Sequence, residues 1–284
     1  MEGRAVPQST EAVALVDHRL VKDTGETLSA LPRDENHPRG IVLAVHGQNQ
    51  APKALDSALI WLNTQGFETF RVALVGHRNR PEELGEISRE NFLKDILSAY
   101  EQAKQRSAQM NVALVGFGYS QGAALLVDFL GAAPNVEFSE FLFMAPAIAS
   151  PFSGDIVRVV DHLFPSLRYP SAIPPKYRAN AWFNLKASVA LFESIDSIQE
   201  MPTEKLNIPT HIYMDKDDEL VSQPGIEKFI SDKGLSKWEI HSVSVDGTKL
   251  GRKIHHLIVD EDAVGSDEWN RMLSGWSDFL SKKN

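Results

Sequence analysis

The sequence contains no cysteine in 284 residues. That absence excludes disulfides, a thiol nucleophile and thiolate metal sites, and it leaves the redox compartment unmarked. A basic surplus is missing too: 29 Lys and Arg stand against 38 Asp and Glu, a formal net charge of −9. Binding to phosphate backbones or anionic membranes needs clustered cations, so neither a nucleic acid nor a charged lipid surface is an expected partner. No apolar run approaches the ~18 residues of a membrane span. The stretch "MEGRAVPQSTEAVALVDHRL" carries charges on both sides of a few apolar residues. No leader or transmembrane segment is expected within it, and a cytoplasmic setting is favoured. Internal repeats and low-complexity tracts are absent as well.

What remains is a chain of globular composition, 43% hydrophobic. At this length roughly three quarters of the extended surface can be buried. One large α/β domain, or one domain with an insertion, is expected rather than two independent units. Strand patterns fall at Ala12 to Leu20, Thr27 to Pro32, "IVLAVHG" (Ile41 to Gly47), "FETFRVAL", Val112 to Val115, "FLFMAP" (Phe141 to Pro146), "IPTHIYM" (Ile208 to Met214) and "WEIHSVSV" (Trp238 to Val245). Helical stripes lie between them: Pro52 to Thr64, Asn91 to Gln105, a helix from Gln121, and a last helix with Trp269, Met272, Leu273, Trp276, Phe279 and Leu280 on one face. Strands alternating with helices predict a mainly parallel sheet covered on both faces, with ligands outside the carboxyl ends of its strands.

One join in this pattern carries polar residues between two apolar segments. Gly118-Tyr119-Ser120-Gln121-Gly122 is a G-x-S-x-G with a strand before it and a helix after it. This is the nucleophile elbow, a turn so tight that glycines must flank it while the serine projects above the sheet. The plainer alternative is a glycine-rich turn that holds a phosphate, or nothing, on the helix N-terminus. That alternative explains the glycines but not the acidic and histidine segments nearer the C-terminus. A serine hydroxyl needs a base to take its proton and a third group to orient that base. Strand Ile208 to Met214 runs into "DKDDELV", and strand Trp238 to Val245 leads toward "GRKIHHLIVD". Acid and histidine candidates therefore come after the serine in the order Ser, Asp, His.

On these motifs the sequence resembles the α/β-hydrolase family, in particular its capped serine esterases and monoacylglycerol-lipase-like members, from about Ile41 to Phe279. "AVHGQNQ" is similar to the family's HG loop, "LVGHRNRP" to its L-x-G-H-G segment, and "IPTHIYMDKDDELV" to its acid loop, with Asp215 where glycine is usual. The resemblance implies Ser120 as nucleophile and Asp218 as acid, with Asp217 a close rival and Asp215 less favoured. Family members often carry the base five residues before an acidic residue. His255 to Asp260 fits that spacing and His256 lies four residues before Asp260 or five before Glu261; His255 is preferred to its rival His256. Adjacent side chains in an extended segment face opposite ways, so only one should reach the serine. Oxyanion donors fall, by resemblance, on the backbone N–H groups of Gln48 and Gln121. His46 is read as a structural residue of its loop, and His77 likewise. No metal and no organic cofactor is implied.

Between Met144 and Leu206 the alternation breaks, where relatives insert a cap. The expected division is hydrolase core over residues 1–146, cap over 147–205 and core again over 206–284. The insertion is rich in proline and aromatics, including Phe152, Phe164, Tyr169, Tyr177, Trp182, Phe183 and Phe192, and its charges nearly cancel. Such a lid suits an acyl chain in an apolar pocket, although most of these aromatics are expected to pack the cap onto the core. "WFNLKASVALF" reads as its helix. The expected activity is hydrolysis of small-molecule carboxylic esters through an acyl-enzyme, of the carboxylesterase or monoacylglycerol-lipase type. Alternatives are an acyl-thioester hydrolase, since "GYSQG" resembles the "GFSQG" of acyl-protein thioesterases, and an aminopeptidase, which would need an acidic anchor not evident here. A non-catalytic binding protein on the same scaffold is the alternative of another class.

Overall fold

The computed structural model describes residues 27–281, except 33, 150–153, 165–166 and 247. The strand expected at Ala12 to Leu20 and the cap residue Phe152 lie outside the described residues. Seven strands form one sheet: β1 (Leu28–Ala30), β2 (Gly40–Val45), β3 (Phe67–Val72), β4 (Ala113–Tyr119), β5 (Glu140–Met144), β8 (Thr210–Asp215) and β9 (Trp238–Val243). Their order is β1-β3-β2-β4-β5-β8-β9. β1 pairs antiparallel with β3, and every other pairing is parallel. A short antiparallel pair, β6 (Arg168–Pro170) and β7 (Trp182–Asn184), stands apart.

Burial explains the sheet. All six residues of β2 are buried, as a central parallel strand requires. Its side chains alternate between two cores: Ile41, Leu43 and Val45 point into one, Val42 and Ala44 into the other. The first core is roofed by α2 (Arg89–Met110), α3 (Gln121–Ala132), α5 (Leu185–Glu200) and α7 (Gln223–Lys233); the second by α1 (Asp56–Thr64) and α9 (Ser266–Ser281). α9 docks through Trp269, Met272, Trp276, Phe279 and Leu280, as its stripe predicts. Trp276 is fully buried and meets Trp61, Phe117, Tyr213 and Trp269 edge-to-face.

Helix ends follow their capping chemistry. Ser88 accepts from Asn91 N–H to start α2, and Asn111 ends it in the left-handed region. Ser222 caps α7 with a proline in its first turn, and Gly234 closes it. Between β5 and β8 the chain leaves the sheet to form α4 (Gly154–Leu163), the β6–β7 pair, α5 and α6 (Thr203–Leu206). α5 packs on the core through Leu185, Ala187, Ala190, Phe192 and Ile198. The helix expected from Trp182 begins only at Leu185. Asn184 caps it by accepting Lys186 N–H, and Phe183 stacks on Tyr169 across the β6–β7 pair. After β9 come a long loop, α8 (Glu261–Val264) and α9. Among the described residues, no helix is long and apolar enough to cross a membrane.

Candidate active site

Ser120 stands at the join of β4 and α3 with φ 52° and ψ −120°, a backbone conformation that L-residues adopt only under strain. The flanking glycines have steric causes. A Cβ on Gly118 would lie 2.5 Å from Cα of Ala123, and one on Gly122 would lie 2.1 Å from the Val45 carbonyl oxygen. Only glycine lets the helix start this close to β4 and β2. Ser120 N–H donates to Met144 O, while Ser120 O accepts from the N–H groups of Ala123, Ala124 and Ala147. The turn is therefore held from four sides.

The hydroxyl of Ser120 lies 2.9 Å from Nε2 of His256, and Nδ1 of His256 lies 2.8 Å from Oδ2 of Asp218. Oδ1 of Asp218 accepts from the N–H groups of Leu220 and Val221, both at 2.8 Å. The Asp218 side chain is fully buried. Two backbone donors and the imidazole thus satisfy this carboxylate and fix its direction. Asp217 faces away and pairs with Lys216 on the surface.

The preference for His255 requires correction. Its Nδ1 lies 2.9 Å from Oδ2 of Asp215, so its ring points away from the serine. The neighbouring side chain takes the other direction and reaches Ser120. The five-residue spacing misleads because Asp260 has a different role. It caps α8 by accepting Ala263 N–H, and it receives the Tyr177 hydroxyl and the Lys176 ammonium. Asp215 also accepts from the N–H groups of Asp217 and Val245. Burial works to raise its pKa, but the His255 hydrogen bond and these two N–H groups outweigh it and hold the carboxyl below its usual range. The Asp215 hydrogen bond, in turn, raises His255.

Two residues that the motifs do not single out shape this site. Tyr119, the variable residue of the elbow, donates its hydroxyl to the His256 carbonyl at 3.0 Å, and its ring lies 5.3 Å from the imidazole. Burial first, then the Asp218 and Glu219 carboxylates, push its pKa well above the ordinary value, so it remains a donor. Glu219 accepts the N–H of His255 with one carboxylate oxygen and the N–H of His256 with the other, each at 3.0 Å. Its place directly after Asp218 is the only sequence signal it offers.

The HG loop lies against the elbow. A Cβ on Gly47 would stand 3.1 Å from Cβ of Ser120. Gln50 Oε1 accepts Gly47 N–H, and Nε2 of His77 accepts Asn49 N–H at 2.8 Å. His46 accepts Leu74 N–H on Nε2 and lies 2.9 Å from Gly47 O through Nδ1. Both rings are buried neutral. His46 is held well below its ordinary pKa by burial first and then by His77 and the cations Arg71 and Arg78, against the Gly47 carbonyl. His77 is lowered to about 4, by burial first, with the Val75 carbonyl opposing and Arg78 assisting. The side chains of Gln48 and Gln121 both reach α5, donating to Ser188 Oγ and Ala187 O respectively. Gln121 opens α3, where N–H groups have no intrahelical acceptor and the helix dipole is positive.

Comparison with known proteins bears on the family and the fold. The family model described as serine aminopeptidase, S33, matches residues 36–244, well over half of the chain. Among solved structures, a study of the metagenome-derived lipolytic enzymes LipS and LipT supplies one with TM-score 0.71 and 19% identity, covering 91% of this chain and 98% of that one. A soluble variant of monoglyceride lipase from Saccharomyces cerevisiae, in complex with a substrate analogue, gives TM-score 0.72 at 15% identity, covering 90% and 91%. The monoacylglycerol lipase of Paleococcus ferrophilus gives 0.59 at 18%, covering 76% and 88%. No curated protein sequence matches. The fold, the elbow and the matched segment together make this chain a member of the serine aminopeptidase S33 family of α/β-hydrolases.

Proposed function

We propose that this chain hydrolyses carboxylic esters of small apolar acids, with Ser120 as nucleophile, His256 as general base and acid, and Asp218 as the group that orients it. The observation that carries this reading is the unbroken series Ser120 Oγ, His256 Nε2, His256 Nδ1, Asp218 Oδ2, with steps of 2.9 and 2.8 Å. His256 takes the hydroxyl proton as Ser120 attacks the acyl carbonyl. Asp218 stabilises the imidazolium that forms. The backbone N–H groups of Gln48 and Gln121 receive the oxyanion, each donor being worth roughly 3–4 kcal/mol in the transition state. The imidazolium then protonates the leaving alcohol, and an acyl-enzyme remains. Water enters, gives a proton to His256 and attacks the acyl carbon, and the acid departs as the proton returns to Ser120.

The segment between β5 and β8 supports an apolar acyl group. No residue of α4 is buried, and Ile156, Val159 and Leu163 on it are each more than half exposed. Trp182 and Tyr169 add exposed aromatic surface in the same segment. We read residues 147–205 as the lid over the serine. The lipolytic neighbours favour an ester over a peptide.

A fluorophosphonate probe and a substrate panel test the reading together. The wild type should be labelled and Ser120→Ala should not. p-Nitrophenyl esters of increasing chain length and a monoglyceride should be turned over faster than an acyl-CoA or an aminoacyl p-nitroanilide. An unlabelled wild type would make the chain a binding protein, and preference for the anilide would make it a peptidase.

A further inference from the structure

The far end of the sheet carries a second cluster of chemistry-bearing side chains. In the parallel β8–β9 ladder, His211 lies opposite Glu239 and Tyr213 opposite His241. Residues two apart on a strand share a face, so all four project toward α9. Nε2 of His241 lies 2.8 Å from Nδ1 of His211, and Nε2 of His211 lies 3.1 Å from a carboxylate oxygen of Glu239. One ligand atom from each of the three lies within 4.8 Å of the other two. They border an open cleft of about 260 Å³, lined also by Arg271, Gly275, Asp278 and Phe279.

We propose that His211, His241 and Glu239 form a binding site for a divalent transition metal ion of the Zn²⁺ class. Two imidazoles and a carboxylate are the ligand set such ions prefer. Both imidazoles are already oriented. His211 stacks on Phe279, at 3.8 Å, and tilts against His241, at 4.6 Å, while His241 stacks on Tyr213 at 4.7 Å. A rigid aromatic stack reduces the ordering that a metal must otherwise impose. The charge balance also suits a cation. Arg271 is engaged by the Glu268 carboxylate and donates to Ser242 O, while Glu239 and Asp278 remain as anions around the cleft.

On binding, the proton shared by His241 Nε2 and His211 Nδ1 moves to the other nitrogen of its own ring, and the ion takes both facing lone pairs with no net loss of a proton. At a Zn–N distance of 2.0–2.1 Å in a tetrahedral site, the nitrogens stand about 3.3 Å apart, so the pair opens by about half an ångström. The exposed Glu239 swings to supply an oxygen, and water completes the shell. The site ties the edge strand β9 to β8. It lies near the start of β8, whereas Asp215 ends that strand beside the serine, so it acts on stability rather than on ester chemistry.

The full chain, stripped with a chelator and titrated with ZnCl₂ in a calorimeter, tests this. The expected result is saturable uptake of one ion per chain. His241→Ala should weaken uptake at least about tenfold, and Glu239→Gln, at an exposed position that leaves folding intact, should weaken it severalfold. His255→Ala should leave it unchanged, which separates this site from Asp215, Asp217 and His255, the second such group among the described residues close enough to share an ion. No saturable binding to the wild type, an isotherm that His241→Ala does not alter, or loss on His255→Ala alone would overturn the proposal.

Discussion

The Tyr119 hydroxyl donates to the backbone carbonyl of His256, a bond that spans 137 positions of sequence and joins the turn of Ser120 to the loop of His256. It fixes where the imidazole begins, while Asp218 fixes where it points. Tyr119→Phe deletes that bond and keeps the ring against His256. A buried hydrogen bond is worth about 1 kcal/mol, so kcat should fall by roughly fivefold if the whole of it holds the imidazole in register. KM should change little, because the phenol does not meet substrate in the proposed reaction. Steady-state kinetics on a short p-nitrophenyl ester decides it, and an unchanged kcat would reduce the bond to a stability contact.

The adjacent histidines give a sharper test. His256→Ala should lower kcat by about 10⁴-fold or more, since it removes the proton acceptor itself. His255→Ala should stay within about tenfold of wild type, because that ring serves Asp215. The acids should split the same way. Asp218→Asn should cost about 10⁴-fold by stabilising the wrong imidazole tautomer, and Asp217→Asn should leave turnover near normal. Equal losses across either pair would remove the geometric basis of the assignment.

The elbow and the sheet were legible in the sequence because sterics and burial leave few choices there. Gly118 and Gly122 are forced by contacts below 3 Å, and a strand buried on both faces must read as continuous apolar residues. The choice between His255 and His256 was not legible. Neighbouring side chains have identical sequence surroundings, and what selects between them is long-range: the Tyr119 hydroxyl on one carbonyl and Glu219 on two N–H groups. Spacing to Asp260 carried no information once that residue proved to be a helix cap. The same kind of distant partner converts Trp182 and Phe183 from expected helix to strand, through the stack of Phe183 on Tyr169.

Glu219 should act as a positioning residue. Its carboxylate holds the N–H groups of His255 and His256, so the loop that carries Asp218 also grips the loop that carries His256. An amide in its place keeps one acceptor and turns a donor toward the other N–H. Glu219→Gln should lower kcat by about tenfold with KM nearly constant, and the rate of fluorophosphonate labelling at Ser120 should fall in parallel. A purely structural role would lower the melting temperature while leaving both rates intact.

Two histidine environments give opposite pH dependences of stability. His255 is raised by the Asp215 hydrogen bond, and Asp215 is net lowered. That pair stabilises fully between about pH 4 and 6.5, and the His255 share is lost as pH rises through its raised value. His77, lowered to about 4 by burial, works the other way. Its neutral ring accepts Asn49 N–H, so its contribution is complete above about 6.5 and is lost as pH falls toward 4, a change of roughly 3 kcal/mol over that span. Denaturant melts of wild type, His255→Gln and His77→Gln at pH 4.5, 6 and 8.5 separate the two. The destabilisation by His255→Gln should shrink at pH 8.5, whereas that by His77→Gln should be largest there. Because His77 holds the HG loop beside Ser120, His77→Gln should also lower ester turnover at pH 8, and normal turnover with a lowered melting point would detach the loop from the chemistry.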